Sequence, residues 1–155
     1  MNFSIRIYNK NDEKYIIDIF KSNCPKYFDI NDLDSLHFFL NNYIDENFKV
    51  VTLNDYIVGC GGHYVKENEK LIGIAWVMFK RNSLGVKNFL SLSNIFFEHI
   101  MDNIQNEKKA FDIIINTTQL LEKTFNKFGF HTVHIIKNGF GKNLDHYVMR
   151  KKYSD

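Results

Sequence analysis

Proline is nearly missing from this chain, with Pro25 alone among 155 residues. No Ser/Gly-rich run accompanies it, so the sequence offers no linker and reads as a single domain over residues 1–155. Cysteine is scarce too, and Cys24 and Cys60 make no disulfide framework. Long apolar runs are absent. A segment such as Leu71-Ile-Gly-Ile-Ala-Trp-Val-Met-Phe79 has strand length, far from the roughly 20 residues of a membrane span. Neither sign of charge dominates, with 20 Lys+Arg against 18 Asp+Glu and a net charge of +2. The basic residues are scattered, apart from Arg150-Lys-Lys152, which argues against nucleic acid, because phosphate binding leaves a basic stripe. The opening Met1-Asn-Phe-Ser-Ile-Arg6 lacks the basic-then-apolar layout of a signal peptide. These absences set the expectation of a cytoplasmic protein with no membrane and no nucleic-acid partner.

What is present is a large apolar and aromatic content, 45% and 15%, including 15 Phe. That suffices for a well-filled core in a chain of this length. Phe3 to Tyr8 alternates as a strand. Asn11 or Asp12 can cap a helix with Tyr15, Ile16, Ile19 and Phe20 inward, ending near Pro25. Asp32 or Asp34 can cap a second, with Leu33, Leu36, Phe39, Leu40 and Tyr43 inward. Lys49 to Leu53, Tyr56 to Val65 and Leu71 to Phe79 read as a meander, the last strand central because it carries few charges. After a break at Lys80–Leu84, Phe89, Leu92, Phe96 and Ile100 recur at helical steps.

Phe111-Asp-Ile-Ile-Ile115 is a further strand. It leads into Asn116-Thr-Thr-Gln-Leu-Leu-Glu-Lys-Thr-Phe-Asn-Lys-Phe-Gly-Phe130, where Leu120, Leu121, Thr124, Phe125 and Phe128 have helical spacing and Gly129 stops the helix. His131 to Ile136 and His146 to Arg150 read as a closing hairpin around Asn138-Gly-Phe-Gly141. The expected class is α+β, a mixed and mostly antiparallel sheet of six to seven strands between helical layers.

Other motifs lead nowhere. His131-x-x-His134 on a regular strand points its two rings to opposite faces, and no third ligand completes a metal set, so no metal is expected. Gly59-Cys-Gly-Gly62 is too short for a dinucleotide fingerprint and precedes no helix; it fits close backbone packing or a bulge. Cys60 fits a buried small hydrophobe, and Cys24, at a helix exit, lacks the signature of a nucleophile. There is no Gly-x-Ser-x-Gly.

The order of elements, with the strings Ile19 to Phe28, Ile57-Val-Gly-Cys-Gly-Gly62, Thr117-Thr-Gln-Leu120, Lys127-Phe-Gly-Phe130 and Leu144 to Met149, resembles the GNAT superfamily of N-acetyltransferases over nearly the whole chain. The resemblance implies a three-layer GNAT-like sandwich. It implies acetyl transfer from acetyl-CoA, as cosubstrate, to a primary amine by direct attack in a ternary complex, with a homodimer possible. It assigns cofactor contacts to the backbone of Val77, Met78 and Phe79, to the loop Asn82, Ser83, Leu84, Gly85, Val86 and Lys87, and to Thr118 and Phe125. The family's phosphate loop, Gln/Arg-x-x-Gly-x-Gly/Ala, is matched only in part by Arg81-Asn-Ser-Leu-Gly-Val-Lys87. Gly85 takes one glycine position and Lys87 the place of the second small residue. The family's usual acid, a tyrosine, falls at Phe125, whose ring has no proton to give. Tyr64, His63, Tyr147 and Tyr27 are substitutes to be considered, so the catalytic residue stays open. These departures motivate an alternative: a catalytically impaired relative that senses CoA or binds a protein.

Overall fold

The structure is a computed structural model, and it describes residues 2–154. Strand β1 (Phe3–Ile7) is followed by helices α1 (Glu13–Ser22) and α2 (Leu33–Asn42), then by β2 (Lys49–Leu53), β3 (Tyr56–Lys66) and β4 (Leu71–Phe79). Next come α3 (Val86–Asn106), β5 (Asp112–Thr117), α4 (Glu122–Asn126), β6 (His131–Gly141) and β7 (Leu144–Lys151). The strands form one seven-stranded sheet in the order β1-β2-β3-β4-β5-β7-β6. β4 is indeed the middle strand. Its pairing with β5 is parallel and the other pairings are antiparallel.

Alternation along the strands feeds two cores, one on each face. Val50, Cys60 and Met78 point to one face, where Ile16, Ile19 and Phe20 of α1 and Leu36 and Leu40 of α2 cover them. Ile72, Ile74, Ile113, Ile115 and Met149 point to the other, against Leu92, Phe96, Phe97, Ile100 and Ile104 of α3. Each fully buried Phe, Ile or Leu contributes about 1.5–3 kcal/mol of hydrophobic stabilisation. Burial also lifts the Cys60 thiol far above its ordinary range, so it stays an inert neutral group.

Both N-terminal helices begin with a 3-10 turn, which moves their side-chain caps to Asn9 and Asp29, earlier than the sequence predicts. Asn9 accepts from the Asn11 N–H at 3.0 Å, and the Asp12 carboxylate accepts from the Asn9 N–H at 2.9 Å. The inward sets are also narrower than predicted. Tyr15 is exposed, and Tyr43, just past the end of α2, leaves the helical path and lies outside against Phe38.

Arg6 grips Asp12 with two bonds of 2.8 and 2.9 Å. Burial works against ionisation of this carboxyl, but the Arg6 and Asn9 donors outweigh it and hold Asp12 below the usual carboxylate range. A depressed folded-state pKa gives stability that is present above the unfolded value of about 3.9 and fades as pH falls through the folded one. Asp12→Asn is therefore expected to cost about 1–3 kcal/mol at neutral pH and to lose part of the fall in stability below about pH 4. Urea melts from pH 7 to pH 3 would show it; parallel wild-type and mutant curves would refute it.

The last third departs furthest from the periodicity. α4 is a single short helix, and Leu120 lies outside it, exposed. Its end is a Schellman cap: the Phe130 N–H reaches the Phe125 carbonyl at 3.2 Å and the Gly129 N–H reaches Asn126 at 3.0 Å. Gly129 supplies the required φ of 91°. The hairpin does not turn at Asn138–Gly141, which belong to β6; the turn is Lys142-Asn143. Asn138 holds the irregular end, its Oδ1 accepting from the Asn143 N–H at 3.0 Å. Earlier in β6, the register shifts between Thr132 and His134, so His131 and His134 oppose Arg150 and Val148. This bulge puts the two rings on one face and overturns the expectation from strict alternation. Among the described residues, no group of three or more His, Cys, Asp or Glu side chains comes together as metal ligands would. No helix among the described residues is long and apolar enough to cross a membrane.

Candidate functional site

The feature that sets this sheet apart is a parting between its two central strands. β4 and β5 pair from Leu71↔Asp112 to Ile74↔Ile115 and no further, although both strands continue. Beyond that rung β4 is held only by β3, and β5 only by β7. A bulge accompanies the parting. Gly62 pairs with Ala75 but Cys60 pairs with Met78, and Trp76 takes a left-handed φ of 52°. Alternation therefore flips: Ile74 joins the α3-side core, while Trp76 and Met78 face α1 and α2.

The free edge of β4 follows from the ladder. The Lys80 N–H bonds the Val58 carbonyl at 2.9 Å, so the preceding residue, Phe79, turns its own N–H and C=O away from β3. Asn23, buried at the end of α1, donates to that Phe79 carbonyl at 2.9 Å and to Ile19 O at the same distance. Ser22 Oγ accepts from the Arg81 N–H at 3.2 Å. The end of α1 is thus latched to the end of β4, and main-chain groups along the parting stay without a strand partner.

Directly after β4 the chain enters the loop preceding α3. Gly85 ends it at φ 73°, a left-handed value suited to glycine, with no protein atom within 4 Å of where a Cβ would stand. No side chain caps α3, and no acidic residue lies in its first turn. A helix of 21 residues thus presents bare N–H groups and the positive end of its dipole beside the parting, with exposed Lys87 in that turn. Asn82 and Ser83 are exposed, and Ser83 Oγ donates to Lys80 O. Leu84 is different: its side chain is buried in the core. Surface hollows along α1 and α2 (Lys10, Glu13, His37) and beside β7 (His131, Arg150, Lys152) lie away from this parting.

The other sequence candidates scatter. His63 is buried on the α3 side, opposite Ile74 and across β4 from β5, with Nε2 2.8 Å from Glu107. Tyr64 lies on the reverse face, its ring over Gly73, where a Cβ would come within 2.2 Å of it. Tyr147 pairs with Thr117 beside the parting and packs on the α3-side core. Tyr27 carries Arg81 over its ring at 5.8 Å. Thr118 is buried, and its Oγ1 accepts from the Leu120 N–H at 3.3 Å. Phe125 is 8% exposed and packs between Phe97 and Phe130 at ring distances of 5.5 and 6.3 Å.

On the face away from α3, the parting is flanked by side chains that no sequence spacing singled out. Trp76 stacks on Phe28 of the α1–α2 loop at 6.0 Å. Opposite, Asn116 bonds His146 at 2.7 Å, and His146 packs on Phe140 at 4.3 Å. Asp29 of the same α1–α2 loop packs against Gly141, so the loop meets the tip of the closing hairpin.

Protein-family models and curated protein sequences give no match to this chain. Solved structures do. A chain from Desulfovibrio desulfuricans assigned to the GNAT family of acetyltransferases superposes with a TM-score of 0.76, at 11% identity over 99% of this chain and 100% of that one. This chain has the GNAT fold. The ribosomal-protein-S18-alanine N-acetyltransferase of Escherichia coli matches at TM-score 0.76 and 13% identity, over 99% of this chain and 96% of its own. The yncA protein of Salmonella typhimurium, solved with its cofactor acetyl-CoA, matches at TM-score 0.68 and 15% identity, over 100% and 96%. The GNAT fold expected from the order of elements is thereby established, with seven strands.

Proposed function

We propose that the protein transfers an acetyl group from acetyl-CoA to a primary amine, by direct attack in a ternary complex. The observation that carries this reading is the β4–β5 parting beside an uncapped α3 N-terminus. The site fits the cosubstrate chemically. A long amide-bearing arm finds the open edge of β4 along Val77, Met78 and Phe79, where the Phe79 N–H turns away from β3, and a diphosphate finds helix N–H groups with Lys87. The yncA structure holds acetyl-CoA on this same fold, which supports the choice of ligand.

Acetyl-CoA supplies an activated acetyl group; the protein supplies position and polarity. Binding donor and amine side by side removes most of the entropic barrier to their encounter. A β4 N–H aimed at the thioester oxygen stabilises the charge that develops there. The departing thiolate takes its proton from water or from the product ammonium, since Phe125 has none to give.

Calorimetric titration with acetyl-CoA, with free CoA as control, is the first test. Micromolar affinity followed by acetylation of some member of a panel of polyamines, aminoglycosides and free-amine peptides is expected. No binding at millimolar ligand would overturn the proposal. The missing acid favours a second reading, an impaired relative that only senses CoA. Phe125→Tyr separates the two. It is expected to raise kcat by about 10²-fold, the lower end of what general acids contribute. A protein that binds acetyl-CoA but acetylates nothing, with or without Tyr at 125, supports the sensor.

A further inference from the structure

We infer that His146 takes the proton from the incoming amine, held in place for this by Asn116 and Phe140; the inference rests on the acetyl-transfer reading. Asn116 is the first residue of β5 beyond the last rung it shares with β4, and it points to the face away from α3. Trp76, two residues past the last β4 rung, faces the same side. The two flank the parting on the face opposite α3, where Phe28 of the α1–α2 loop meets Trp76. His146 is joined to this rim by its 2.7 Å bond from Nε2 to Asn116 Oδ1.

The chemistry of that bond fixes the tautomer. A carboxamide oxygen only accepts, so Nε2 carries the hydrogen. In the neutral ring Nδ1 then keeps its lone pair, and it has no hydrogen-bond partner among the described residues. Phe140 packs on the ring at 4.3 Å, tilted by 30°, and restrains its plane. Burial, and then the charge of His134 on β6, push the His146 pKa below its ordinary value, which keeps the ring neutral at about pH 7 with a lone pair open to a proton. From β5 the ring meets Asn116, and Asp29 of the α1–α2 loop lies against Gly141 rather than bonded to the imidazole.

The step balances. A primary ammonium, with a pKa near about 10, must lose a proton before it can attack. Nδ1 accepts that proton and later returns it to water. The freed nitrogen lone pair forms the C–N bond as the C–S electron pair leaves with the thiolate. The second nitrogen proton passes through water to sulfur, giving amide and free thiol.

The test uses the full chain, acetyl-CoA and the fastest acceptor of the amine panel. For His146→Gln, kcat/KM is expected to fall about 10²–10⁴-fold at pH 7. The deficit should shrink as pH approaches the amine's own pKa, whereas damage to packing would lower the rate at every pH. Imidazole ¹⁵N spectra are an activity-free readout: His146 should titrate below about 6.5 as the Nε2–H tautomer, and Asn116→Leu should abolish that tautomer preference. A pH–rate profile unchanged by His146→Gln, or a His146 charged at pH 7, overturns the inference and leaves acetyl transfer standing. A wild-type protein that binds acetyl-CoA but acetylates nothing overturns both.

Discussion

Lys87→Glu is expected to stabilise the free protein and weaken acetyl-CoA binding at once. Lys87 sits in the first turn of α3, where the helix dipole disfavours a cation by about 0.3–1 kcal/mol. Nothing in that turn offsets it, because no acidic residue is there. A carboxylate at the same place gains a similar amount, so the swap is worth about 1 kcal/mol and should raise Tm by about 2–4 °C. The lysine makes sense only with an anion in front of the helix. Replacing a charge-assisted contact of about 1.5–3 kcal/mol with repulsion should cost tenfold to a hundredfold in affinity or more. Thermal scanning with calorimetric titration reads both signs. A variant that binds acetyl-CoA as tightly as wild type would remove α3 from the site.

Phe130→Ala is expected to cost about 3–5 kcal/mol, a large part of the stability of a domain this size. Phe130 is fully buried, and its ring meets Phe97 and Phe125. It is also the residue whose N–H closes the α4 cap on the Phe125 carbonyl, and cap and ring contact are made by the same pair. Truncation therefore opens a cavity and loosens the helix end together. Urea denaturation measures the loss. Phe128→Ala, at a half-buried neighbour, should cost clearly less. Equal costs would mean that the cap geometry adds nothing.

The sequence disclosed its fold through period. Alternation in β1 to β4 and helical steps in α3 were readable because burial on one face enforces them. The chain's irregularities were not. Asn138-Gly-Phe-Gly141 carries turn chemistry, yet it continues a strand, because Asn138 spends its side chain on Asn143 and leaves the reversal to Lys142-Asn143. The Val133 bulge and the Trp76 backbone flip invert side-chain parity; Val133 and Trp76 do not favour such conformations, and only the Gly59-Cys-Gly-Gly62 stretch opposite Trp76, where the β3 register shifts, marked a bulge in the sequence. At the site, the β4 segment Val77–Phe79 and the loop at Gly85 and Lys87 could be named through resemblance. Asn23, Asn116 and His146 could not. Their partners stand 56 and 30 positions away, and nothing local records which edge of a strand will be left open.

The parting of β4 from β5 is a strand edge set in the interior of a sheet. Exposed edges invite another chain to add itself, and proteins blunt them with charge or cover. Here the edge lies between flanking strands, and on the acetyl-transfer reading a slender thread with amide groups pairs there as a missing strand would. Recognition of that kind addresses main chain rather than side chains. Main-chain groups do not change with side chains, so on the acetyl-transfer reading such a site can persist at the 11–15% identity that still keeps this fold.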